Sequence, residues 1–266
     1  MTDHHDERPL ALVTGASSGI GLELARVFAE NGFDLVIAAE DQGIHTAASE
    51  LRSGGTNVQP VQADLATTAG VQSLYDSVRL MGRAVDSAAI NAGVGVGGRF
   101  HETPLEDHLN LINLNITGAV HLAGLLLPEM VQRRHGRILF TSSIAAAMPG
   151  PYESTYAASK AFLYSFSLAL RNELKDDGVT VTALMPGPTD TNFFERADLT
   201  DSMVGRAKKD DAAEVARDGY EALMSGEDHV VAGSFKNKAQ VAAATVLPDT
   251  AAAAMHGSMA KPRSSD

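Results

Sequence analysis

Tyr156 and Lys160 stand four residues apart in a stretch that reads as the opening of a long helix. That spacing puts the phenol and the ammonium on one helical face. An ammonium held beside a phenol stabilises the tyrosinate and lowers its pKa from about 10 towards working pH. Such a tyrosine can exchange a proton with a substrate near neutrality. A Tyr-x-x-x-Lys pair alone more often means a helix-flank tyrosine beside a solvated lysine, so its meaning depends on the rest of the chain.

A second chemical signature lies near the start. The apolar run Leu10–Thr14 leads into Gly15-Ala-Ser-Ser-Gly19-Ile-Gly21, where a helical stripe of Ile20, Leu24, Val27 and Phe28 opens. Glycines at a strand-to-helix junction let the backbone turn sharply and approach a pyrophosphate, whose charge the helix N-terminus favours. In this context nucleotide binding outweighs an unliganded turn. The spacing Gly-x-x-x-Gly-x-Gly departs from the commoner G-x-G-x-x-G fingerprint.

These residues need a frame to hold them. The alternation predicts strands at Leu10–Thr14, Asp34–Ala39, Val58–Gln62, Val85–Ile90, Arg137–Thr141, Val179–Leu184 and His229–Ala232. Between them, helices are expected over about 20–31, 41–53, 67–81, 104–134, 153–176 and 211–224. Pro60 makes Val58–Gln62 a poor central strand, and Pro128 is expected to kink or restart the long helix. Strand and helix in turn imply an α/β fold, a Rossmann-like doubly wound parallel sheet of about seven strands with helices on both faces. A single domain over 1–266 is expected, with 1–8 and 261–266 disordered and 234–260 a helical C-terminal extension.

Composition narrows the function. With 44% hydrophobic and 20% charged residues, the 266-residue chain reads as globular with a sizeable core. A formal net charge of −12 argues against a nucleic-acid partner. The absence of cysteine excludes disulfides, a thiolate nucleophile and a cysteine metal site. His45, His108 and His135 read as solvated and His121 as near the core, so no zinc site is expected. The start is polar and acidic, and no apolar run reads as long enough to span a bilayer. A cytoplasmic protein with no membrane partner is the expectation.

Beyond the two signatures, the chain carries Asp64-Leu65, Asn91-Ala-Gly93, Asn115, Ser143 and Pro186-Gly187, in that order, with Ser143 thirteen residues before Tyr156. Together with Thr14-Gly-x-x-x-Gly-x-Gly21 and Tyr156-x-x-x-Lys160, these motifs resemble the short-chain dehydrogenase/reductase family in its compact single-domain form. The resemblance spans nearly the whole chain. It implies an NAD(P)-dependent enzyme that moves a hydride reversibly between a nicotinamide cofactor and a secondary alcohol or ketone. On the same ground Tyr156 is the general acid/base, and Lys160 depresses its pKa and binds the nicotinamide ribose. Ser143, rather than the adjacent Ser142, orients the carbonyl. Asn115 sits at a helix irregularity and holds a relay water.

The resemblance also implies the cofactor site. Gly15, Ser17, Ser18, Gly19, Ile20 and Gly21 take the phosphates, and Asp64 and Leu65 the adenine. Asn91 braces the fourth strand, and Ala92 and Gly93 leave room for the ribose. Pro186, Gly187, Thr189 and Thr191 face the nicotinamide. At the end of the second strand, Ala39 and Glu40 match neither the NAD nor the NADP pattern of the family. A carboxylate there can bind a ribose hydroxyl and repels a phosphate, so NAD is expected over NADP.

For the substrate, Ser143, Ala145, Met148, Tyr152, Tyr156 and Phe193 are expected to line a mostly apolar pocket without an Arg or Lys clamp, suited to a hydrophobic alcohol or ketone. Asn192–Lys209 reads as a lid with Gly205 as one possible hinge. The family's habits imply a homodimer or homotetramer built on the two long helices. A non-catalytic dinucleotide-sensing regulator and an epimerase or dehydratase are the alternatives.

Overall fold

The computed structural model describes residues 8–197 and 199–261. Apart from Arg8 and Lys261, the ends expected to be disordered lie outside the described residues.

The first half alternates β1 (Leu10–Thr14), α1 (Gly19–Glu30), β2 (Asp34–Ala39), α2 (Gly43–Arg52), β3 (Val58–Gln62), α3 (Thr68–Leu80) and β4 (Ser87–Ile90). Next come α4 (Leu105–Ile112), α5 (Ala119–Arg133), β5 (Gly136–Thr141), α6 (Ser154–Glu173) and β6 (Val179–Met185). The short helices α7 (Phe193–Arg196) and α8 (Met203–Arg206) precede α9 (Ala212–Ser225) and β7 (His229–Val231). The extension forms α10 (Phe235–Val246) and α11 (Asp249–Ala260).

The seven strands form one sheet in the order β3-β2-β1-β4-β5-β6-β7, and every pairing is parallel. Buried runs such as LALVT in β1 and DLVIAA in β2 show why, since each strand needs cover on both faces. Successive side chains go to opposite sides. Leu12 joins Leu74, Leu122 and Phe140 under α3 and α5, whereas Val13 joins Leu24, Phe28 and Val215 under α1 and α9. Pro60 lies in the edge strand β3, paired only with β2, where its missing N–H costs no ladder bond on the open side. The strand order reverses between β1 and β4, which opens a crevice at the carboxyl ends of the strands.

The helix irregularity expected at Asn115 is a π-helical turn at Asn113–Gly118 between α4 and α5, whereas Pro128, expected to kink or restart the helix, is accommodated inside α5. Leu105–Arg133 is also apolar and long enough, by length and composition, to cross a membrane, which corrects the reading that no segment is. Much of that apolar character serves the core, because Leu111, Leu122, Ala123, Leu126 and Met130 are buried.

Candidate active site

A cleft of about 610 Å³ runs along the crevice. At one end, Gly15 and Gly19 turn the backbone with φ of +66° and +56°, where a side chain would be strained. Gly21 allows close approach, since a Cβ there would lie 2.6 Å from Asn91 Nδ2. Ser18 caps α1 without a side-chain hydrogen bond, which leaves the first-turn N–H groups free for an anion.

Thr14 and Asn91 join the turn to β4. Thr14 Oγ1 accepts from the Asn91 and Ala92 N–H groups, each at 3.0 Å, and Asn91 Nδ2 donates to the Thr14 carbonyl at 3.1 Å. Beyond Ala39, Glu40 is exposed at the mouth, while Asp41 accepts from Ser17 Oγ and from the Gly43 N–H, both at 2.8 Å. Ser17, Ser18, Ile20, Leu65 and Ala92 line this end. Asp64 does not. Its Oδ1 accepts from the Ala66 N–H at 2.9 Å and closes the turn before α3.

At the other end, β5 delivers Ser143 and α6 delivers Tyr156 and Lys160, all buried. Ser142 Oγ is spent on the Lys160 carbonyl at 2.7 Å, whereas the Ser143 hydroxyl bonds the phenol. Lys160 Nζ donates to the Thr141 carbonyl at 2.8 Å and stands 5.7 Å from the Tyr156 ring centre. Burial pulls its pKa down to about 8. Burial also pushes the Tyr156 phenol well above the ordinary tyrosine range, the Ser143 bond opposes this, and the Glu153 carboxylate adds to it. Desolvation thus outweighs the lowering expected from the pairing with Lys160.

Asn115 is fully buried in the π-helical turn. It accepts from the Val94 N–H at 2.9 Å and donates to the Val94 carbonyl at 3.0 Å and Ser159 Oγ at 3.1 Å, which locks the loop after β4 onto α6. Gly93 keeps the space between Asn115 and Lys160 clear, since a Cβ there would lie 3.1 Å from Asn115 Oδ1 and 3.2 Å from Lys160 Nζ. Pro186, Gly187, Thr189 and Thr191 form the facing wall.

The substrate end departs further from expectation. Ala145 and Phe193 line it, the Phe193 ring 5.1 Å from that of Tyr156. Met148 instead packs against Ala244 and Ala252 beneath the extension. Tyr152 stands outside the lining at φ +67°, its carbonyl accepting from the Gly98 N–H at 2.8 Å. Gly205, expected as a hinge, is a close-packed position where a Cβ would lie 2.9 Å from the Leu199 carbonyl carbon.

Several lining residues carry no local sequence signal. Arg196, Arg206, Lys208 and Lys236 bring positive charge to a cleft read as lacking it. Asn237, Met259 and Ala260 enter from the extension, as does His256, which bonds Glu153 at 3.1 Å from 103 residues away. His108, expected to be solvated, is buried and bonds Thr155 Oγ1 at 2.9 Å.

A family model described as short chain dehydrogenase matches residues 9–201. The chain belongs to that family. This short-chain dehydrogenase is similar to the oxidoreductase UcpA of Salmonella typhimurium, at 34% identity over 206 residues, 77% of this chain and 76% of that protein. Among solved structures it resembles a short-chain dehydrogenase from Sphingobium yanoikuyae in complex with NADPH, with TM-score 0.78 and 32% identity over 84% of this chain and 87% of that one. It also resembles L-sorbose reductase from Gluconobacter frateurii complexed with NADPH and L-sorbose, with TM-score 0.73 and 27% identity over 88% and 99%. As a family member it is an NAD(P)-dependent oxidoreductase acting on CH–OH and C=O groups. The uncapped α1 terminus, the glycine turn and the space at Gly93 fit a dinucleotide laid along the cleft.

Proposed function

We propose that this oxidoreductase interconverts a largely apolar secondary alcohol and its ketone, with NAD as the preferred cofactor and Tyr156 as proton donor and acceptor. The observation that carries the reading is the buried group of Ser143, Tyr156 and Lys160 at one end of a cleft whose other end is an uncapped helix terminus.

The hydride chemistry belongs to the bound nicotinamide. The protein's own groups hold and move the proton. Ser143 Oγ, beside the phenol, orients the substrate oxygen, and the Tyr156 O–H delivers the proton to it on reduction or takes it back on oxidation. Lys160, with its pKa drawn to about 8, replenishes that proton near working pH. Asn115 holds the loop that keeps the space at Gly93 open.

An apolar substrate is supported by the cluster of Leu111, Ala145 and Tyr156 with Val94, Val96 and Phe193. The preference for NAD rests on Glu40 and Asp41, whose charges oppose a 2′-phosphate. The basic residues of the cleft come instead from positions 196–236. A homo-oligomer is supported by Leu105, Leu109, Ile112 and Phe162, large apolar side chains exposed on α4, its C-terminal boundary and α6.

The test is a cofactor-linked assay over assorted ketones and alcohols, beside titrated cofactor binding. Tyr156→Phe should abolish turnover and leave cofactor binding nearly intact. Wild-type-like turnover by that variant would sink the mechanism, and cofactor binding with no turnover of any carbonyl by the wild type would favour a sensing role.

A further inference from the structure

Helix α11 turns one face to the cleft that the mechanism above leaves unused. Ala252, His256 and Ala260 recur every four residues along it and are buried, and His256, Met259 and Ala260 line the cleft. This face lies at the substrate end. Nε2 of His256 stands 3.1 Å from Glu153 Oε2, and a Cβ on nearby Gly150 would lie 3.3 Å from that nitrogen and 2.6 Å from the Ala157 Cβ. Ala157 follows Tyr156 and packs in one cluster with it and Ala145. Helix α11 also packs against α8, whose Met203 and Arg206 line the cleft.

We propose that the hydrogen bond between His256 and Glu153 seats α11 as the end wall of the substrate pocket, so that this pair sets how long a substrate the site accepts. The proposal rests on the reading of the Ser143 and Tyr156 end as the place of the substrate carbonyl. Both residues act through α11, as positioning residues. One proton shared between Nε2 and Oε2 makes the bond, whichever of the two carries it.

Little else holds the helix. Its 12 residues, DTAAAAMHGSMA, carry Met255 and Met259 as their large apolar side chains, and a helix of that length is marginal by itself in water. Ala252 and Met255 pack with Met148 and Ala244, and Gly257 lies against Pro151. Among the described residues, no other hydrogen bond joins α11 to the elements before α10. Glu153 and His256 are buried, at 5% and 7% exposure, and Nδ1 of His256 is buried without a partner. Removing either group strands the other away from water, a cost relieved when α11 lifts and water enters. A lifted α11 withdraws His256, Met259 and Ala260 from the cleft and lengthens the pocket.

The experiment compares wild type, His256→Ala, Glu153→Ala, the double variant and Glu153→Gln, each full length with cofactor bound. It reads hydrogen exchange of the α11 amides, and KM and kcat over a homologous series of straight-chain methyl ketones. In both alanine variants the α11 amides should exchange about 10-fold faster or more, and KM for the shortest ketone turned over should rise about 5-fold. The preference in kcat/KM should move towards longer ketones, while the cofactor dissociation constant stays within about twofold. The double variant should lose no more than either single one, because both remove the same bond. Glu153→Gln keeps the shape and a hydrogen-bonding group, and should retain the α11 exchange and length profile of the wild type. Unchanged α11 exchange or an unchanged length profile in the alanine variants overturns the proposal. So do additive losses in the double variant, or a Glu153→Gln that behaves like Glu153→Ala. Turnover of no ketone by the wild type would instead count against the reading of the carbonyl site, and α11 exchange then decides the seating alone. Should Glu153→Ala fail to fold, His256→Ala, outside the family match at residues 9–201, still decides the matter.

Discussion

Gly21→Ala tests whether the turn after β1 is a cofactor cradle or only a tight corner. A Cβ on Gly21 would stand 2.6 Å from Asn91 Nδ2 and 2.7 Å from the Gly15 carbonyl carbon, where ordinary contact begins at 3.4 Å. Gly15 meets the new Cβ with backbone rather than with the end of a flexible side chain, and Asn91 is tied to the Thr14 carbonyl, so the turn itself must shift. Overpacking of this kind costs about 1–3 kcal/mol. If that falls on the conformation that receives the dinucleotide, affinity drops by about 5- to 150-fold. Gly32→Ala is the control. Gly32 has φ +83° and no atom within 4 Å of its Cβ position, so alanine there strains the backbone away from the cleft. Cofactor dissociation constants by titration calorimetry, beside thermal unfolding, separate the two. Gly21→Ala should weaken binding and Gly32→Ala should lower only the melting temperature. Gly21→Ala binding within twofold of wild type would refute the reasoning.

Three further outcomes are expected. Glu40→Arg reverses the charge facing the 2′ position, and at about 1 kcal/mol per exposed charge pair should raise the NADP-to-NAD ratio of kcat/KM by about 10-fold or more; an unchanged ratio places the 2′ position elsewhere. Lys160 carries a folded-state pKa of about 8 against 10.5 ordinarily, so between those values the unfolded chain binds the extra proton and stability rises with pH. Denaturant midpoints should show that rise, at most about 3 kcal/mol, in the cofactor-free wild type and not in Lys160→Met; equal rises in both would count against the buried ammonium. Truncation after Gly233 removes Asn237, His256 and Met259 from the cleft and uncovers Met148. It should raise the substrate KM while the cofactor dissociation constant changes little, as steady-state kinetics and titration would show.

Much of the molecule was legible from residue order because the physics involved is local. Burial on both strand faces shows as runs like LALVT, and the strand-to-helix alternation then leaves few ways to arrange a parallel sheet. Pro60 announced an edge through its missing N–H. Tyr156 and Lys160 share a helix, so four residues of spacing were enough to place both at one face.

Tertiary structure decided the rest. Pro128 was expected to kink the long helix, yet α5 runs through it, and the π-helical turn expected at Asn115 is held by bonds to Val94 and Ser159 outside its own turn. The sequence placed the ammonium and phenol together, but burial decided the direction of the phenol's pKa. Asp64 closes the turn before α3 through Oδ1, Met148 turned under the extension, and His108 went inward. His256 met Glu153 across 103 residues. No periodicity encodes such meetings, because they depend on how loops and the C-terminal helices pack over the carboxyl edge of the sheet. The family and its chemistry are thus written in short motifs, while the wall that meets the substrate is made by packing.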